Sequence, residues 1–156
     1  MQLRKLLEQW DLNSLKITAG FLEMEWVPRD EDKAAAWELY VELLTRVATQ
    51  DLDPSHGHEK TALESIYHLF PLTREILKRN GRNCINFSKI AVVVLNQVVR
   101  PFTAKWHVEF NGDSPLPPEK AKVFRQELQE LQDSLRKYAR LLADLAGVED
   151  LTRLEG

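Results

Sequence analysis

Apolar positions recur along this chain mostly at helical spacing. Leu3, Leu6, Leu7 and Trp10 lie three and four apart and predict a short N-terminal helix. The next stretch differs. Leu22, Met24 and Trp26 alternate with Glu23 and Glu25, a period of two with one apolar and one acidic face. That pattern predicts a short strand or an extended arm lying on the core, ended by Pro28. Asp30-Glu31-Asp32 reads as a helix start, with Asp30 as the cap and acids near the positive end of the helix dipole. The helix it opens, over residues 31–50, carries two apolar stripes, Ala36/Leu39/Tyr40/Leu43/Val47 and Trp37/Val41/Leu44/Ala48. A surface helix needs one stripe. The second predicts a cover, either the arm or a second copy of the protein.

Residues 51–58 have the composition of a loop. A helix over 59–80 follows, with Leu63, Ile66, Tyr67, Phe70, Ile76 and Leu77 inward. Pro71 should kink or split it, and Asn80-Gly81 should close it. Residues 84–106 read as a third long helix, since Phe87, Ala91, Val94, Val98 and Phe102 keep helical spacing through a β-branched run. Arg100-Pro101 should bend it near its end. Residues 106–113 suggest a brief extended segment and a turn, pairing with 22–27. Pro117-Pro118-Glu119 suits a helix start. The helix after it has the clearest pattern: Phe124, Leu128, Leu131, Leu135, Tyr138, Leu142 and Leu145 alternate steps of four and three, a coiled-coil seam. Ala146-Gly147 ends it. Phe70-Pro71-Leu72-Thr73 is echoed by Arg100-Pro101-Phe102-Thr103, too short a match to argue duplication. The fold this predicts is all-α, an antiparallel four-helix bundle with a short N-terminal helix and an extended arm or short strand. Residues 1–147 form its single domain and 148–156 a loose tail.

Composition narrows the classes. The chain has 156 residues, 44% apolar and 29% charged, with a formal net charge of −3. Those are values of a globular domain with a core of its own. One cysteine, Cys84, provides neither a disulfide framework nor a cysteine-rich zinc site. The first ten residues are charged where a secretory signal is apolar, and the longest apolar run, 90–95, is far short of a membrane span. A cytoplasmic protein is expected. Charge is uneven: residues 71–110 hold seven basic and two acidic side chains, whereas 1–70 hold seven basic and thirteen acidic. Arg74, Lys78 and Arg82 step by four along one face, Arg79 flanks them and Lys89 lies across the turn. Such a row either pairs within the fold or meets an anion, a nucleotide, a nucleic acid or an acidic partner.

Catalytic patterns are sparse. A di-metal bundle needs two Glu-x-x-His pairs, and only Glu64 and His68 lie near each other. A hairpin centred on residues 81–83 would bring His56 and His58 near His107, beside Glu59. It would also level Glu64 with Arg100 as a structural ion pair. Ser55, Ser65, Ser88 and Cys84 lack nucleophile-elbow glycines, and no phosphate-binding glycine pattern occurs. Cys84 at a helix start reads as a buried structural thiol.

Residues 95–107, Leu-Asn-Gln-Val-Val-Arg-Pro-Phe-Thr-Ala-Lys-Trp-His, resemble small uncharacterised bacterial helical proteins, modules of defence or signalling systems. The resemblance implies action through partners and carries over no catalytic residue. It marks Arg100, Pro101, Trp106 and His107 as a functional or fold-defining corner, to which the hairpin level adds Glu64 as the partner of Arg100. The expectation is therefore a non-enzymatic interaction or regulatory module, possessing no cofactor and no metal. It would bind a protein partner or itself through Leu22, Met24, Trp26, Trp37, Val41 and Leu44. The alternative is anion, nucleotide or nucleic-acid binding through Arg74, Lys78, Arg79, Arg82 and Lys89.

Overall fold

The computed structural model describes residues 1–46, 48–52, 58–110, 112, 114–152 and 154, and among them it is all-helical. The helices are α1 (Leu3–Gln9), α2 (Ala19–Leu22), α3 (Asp30–Leu44), α4 (Glu59–Tyr67), α5 (Leu69–Asn80), α6 (Ile85–Val94), α7 (Arg100–Glu109) and α8 (Pro118–Ala146). No described helix is long and apolar enough to cross a membrane.

α8 is the spine. All seven residues of its predicted seam are buried, and it packs along α3, which also packs on α5 and α6. Pro118 opens α8, and Gly147 closes it in the left-handed region, at φ 74°. Beyond Gly147, where a loose tail was expected, the Tyr40 hydroxyl donates to the Glu149 carbonyl and accepts from the Leu151 amide, at 3.2 and 2.6 Å.

The predicted helices are cut shorter by identifiable groups. α3 stops at Leu44, not at 50. The Thr45 and Thr49 hydroxyls donate to the carbonyls of Val41 and Leu43, and the Gln50 amide to that of Leu44. These bonds satisfy the last carbonyls of the helix, so it need not continue. Nor is Asp30 the cap: the Asp32 carboxylate accepts from the Arg29 amide at 2.8 Å. The predicted 59–80 helix is divided at His68, because Pro71 has no N–H to give the Tyr67 carbonyl one turn back. Pro101 acts in the same way on Gln97, and the chain widens there into a π turn, Leu95–Val99, between α6 and α7. Thr73 and Thr103, which follow the two prolines, are both buried.

Neither predicted extended segment is present among the described residues. Residues 106–109 belong to α7, and Trp106 is buried. The arm is not a strand: Leu22 ends α2, and one antiparallel bridge joins Glu25 to Gln2. The Leu3 amide donates to Met24 and the Trp26 amide to Met1, at 3.1 and 2.7 Å. So the arm pairs with the N-terminus rather than with 106–113, and Trp26 is a core residue instead of a surface one. The period of two reflects this local turn, in which every second side chain packs inward.

Candidate functional site

α6 explains why a groove exists. Phe87, Ile90, Ala91 and Val94 are buried and face the core. On another face, Ile85, Lys89 and Val92 follow steps of four and three, the spacing of a helix–helix seam. Ile85 and Val92 remain 49% and 45% exposed. Across from them, the segment leading into α2 supplies Ile17 and α2 itself supplies Phe21, which is 48% exposed. Gln97 holds that segment in place, its side chain accepting from the Lys16 amide at 2.8 Å and donating to the Lys16 carbonyl at 2.7 Å. Between these walls lies an open recess of about 320 Å³ with almost wholly apolar lining. Lys89 is its one charged member among the described residues. Its ammonium donates to the Met24 thioether at 3.2 Å and stands 5.3 Å from the centre of the Phe21 ring. Of these residues the sequence pattern singles out Lys89 but not Phe21, Ile85 or Val92. The signal was the second stripe on α6, beyond what its core face needs.

The predicted partner-binding residues do not share one surface. Trp26 is buried, and Leu22, Met24 and Leu44 are partly covered by the core. Trp37 and Val41 are exposed one turn apart on α3, at 47% and 38%. The arm does not cover them: the Asn86 side-chain Nδ2 donates to the Val27 carbonyl at 2.8 Å, which lays the arm against α6.

The basic row divides. Arg79 pairs with Glu38 at 2.9 Å, and Asn80 donates to the same carboxylate. Lys89 belongs to the groove. Arg74, Lys78 and Arg82 are exposed, and among the described residues none of them has an ion-pair partner.

The residues of the predicted corner pack against different partners and do not meet as one group. Glu64 is exposed and makes no pair with Arg100 among the described residues. Arg100 lies over the Phe70 ring at 4.7 Å and donates to Asn96 Oδ1. His107 meets Tyr67 edge-on at 4.9 Å. A straight hairpin sets Glu64 opposite Arg100. The break at His68, the 3₁₀ turn Arg82–Cys84 and the π turn shift the register so that Phe70 stands there. Pro101 borders a more polar groove with Lys105 and Glu127. The buried Trp106 donates its indole N–H to Glu127 at 2.7 Å, and Lys105 also pairs with Glu127.

His56 and Ser55 lie outside the described residues. His58 caps α4, its Nδ1 accepting from the Thr61 amide at 3.3 Å. Among the described residues no group of three or more His, Cys, Asp or Glu is placed to hold a metal ion. Cys84 is buried, and its thiol donates to the Gly81 carbonyl at 3.0 Å. Comparison with family models, with curated proteins and with solved structures gave no match.

Proposed function

We propose that this protein is a non-enzymatic interaction module that docks a partner segment in the groove between α2 and α6. One observation carries the reading: Phe21, Ile85 and Val92, each nearly half exposed, flank a single recess with apolar lining. Scattered surface hydrophobics are ordinary, whereas apolar residues gathered about a hollow characterise a docking site. The scaffold on this reading is an antiparallel bundle of α3, α4 with α5, α6 with α7, and α8. Trp37 and Val41 form a separate, smaller apolar spot on α3. The test is a photo-crosslinking residue at position 85 in cells. A discrete adduct that is lost in Val92→Glu and kept in Trp37→Glu supports the reading. Equal adducts in both variants overturn it.

A second reading is favoured by the unpaired row Arg74, Lys78 and Arg82: binding of a polyanion. Arginines and lysines that pair with no carboxylate among the described residues are available to phosphates. Binding of a labelled single-stranded oligonucleotide that falls steeply with salt supports it. Affinity unchanged in Arg74→Gln/Lys78→Gln counts against it.

A further inference from the structure

We infer that the occupant of the α2–α6 groove is an acidic amphipathic helix of a partner protein, an inference that rests on the docking reading and adds the partner's chemistry. Shape points to a helix. The steps of four and three from Ile85 through Lys89 to Val92 form one half of a helix–helix seam, and the wall made by Ile17 and Phe21 turns it into a trough. The apolar ridge of an incoming helix fills such a trough.

Charge points to acid. Among the described residues the groove lining contains no carboxylate. Lys89 is held by a thioether and an aromatic face, so its positive charge is uncompensated within the groove. Arg82 lies one turn before Ile85, and Lys16 precedes Ile17 at the other wall. Neither has an ion-pair partner among the described residues. A helix carrying glutamates beside its leucines supplies the missing anions along the same line that buries its leucines. A basic helix of equal hydrophobicity meets like charge at each of these points.

The test uses two labelled synthetic helices of about 20 residues, long enough to hold helical structure. Both carry leucine at seam positions, one with glutamate and the other with lysine elsewhere. Fluorescence anisotropy with the full chain should show the acidic helix binding at least about tenfold more tightly at low salt, a difference of about 1.4 kcal/mol. Lys89→Glu should reverse the preference, which separates lost binding from lost folding. Equal affinity for both helices overturns the charge assignment and leaves groove docking standing. Binding of neither overturns both. Binding to anionic phospholipid vesicles without binding to the acidic helix overturns the inference in favour of a lipid surface. A dimer in sedimentation that excludes the helix overturns it in favour of a second copy.

Discussion

The Asp32 carboxylate accepts a hydrogen bond from the Phe87 amide at 2.8 Å, joining two helices whose starts are 55 residues apart in sequence. Its other oxygen accepts from the Arg29 amide, and Asn86 approaches it at 3.4 Å. One fully buried side chain thus caps α3 and α6 together. Helix N-termini present unsatisfied N–H groups and positive dipole ends, and here one anion meets two of them. Because α6 forms one wall of the groove, Asp32 also sets that wall's position.

Asp32→Ala should therefore lower stability by about 3 kcal/mol, since it leaves buried amides of two helices unpaired. Asp32→Asn keeps an acceptor and should cost less. Urea unfolding of the two variants checks the order. Equal losses would show that the double cap is not what stabilises the pair.

Tyr138 offers the opposite case. Its hydroxyl is buried and has no hydrogen-bond partner among the described residues. Burial pushes its pKa well above the ordinary 10.0, and burial first, then the nearby Asp150 and Glu149 carboxylates, raises that of Tyr40 against the lowering effect of the Leu151 amide. The folded chain then holds these protons more tightly than the unfolded chain. Their contribution to stability is complete below pH 10 and declines as pH rises beyond it. Tyr138→Phe should flatten that decline and, by removing an unpaired hydroxyl, raise neutral-pH stability by about 1 kcal/mol. Thermal unfolding at neutral pH and above pH 10 measures both effects.

Arg100 and Glu64 should behave independently. Arg100→Ala removes the contact with Phe70 and the bonds to Asn96, a loss of about 1 kcal/mol. Glu64→Gln should change stability by less than about 0.5 kcal/mol, as an exposed residue with no ion pair among the described residues does. A double-mutant cycle should return no coupling; coupling of an ion-pair size would restore the Glu64–Arg100 bridge.

The basic row makes a similar distinction. Arg79→Gln frees Glu38 from its pair and should cost up to about 1 kcal/mol. Arg74→Gln and Lys78→Gln break no ion pair among the described residues and should each stay within about 0.5 kcal/mol of the parent in urea unfolding.

Regular repeats made the α8 seam legible, because seven residues in register leave one way to bury them. Both prolines were legible as breaks. Their effect fell on the carbonyl one turn earlier, so the interruption begins before the proline itself. The arm was misread because alternation of Leu22, Met24 and Trp26 over five residues fits a strand and a compact turn equally well. The Glu64–Arg100 pairing failed because a straight hairpin ignores the π turn and the break at His68. The groove was least visible of all. Phe21 belongs to a four-residue helix without periodicity, and its meeting with Ile85 and Val92 is a product of tertiary packing.

The most direct test of groove docking compares two valine-to-glutamate variants by native mass spectrometry of complexes isolated from cells. Val92 borders the groove, whereas Val108, 83% exposed on α7, does not. The account predicts that a discrete complex formed by the parent chain disappears in Val92→Glu and persists in Val108→Glu, with both variants folded. A complex that survives Val92→Glu unchanged would contradict it.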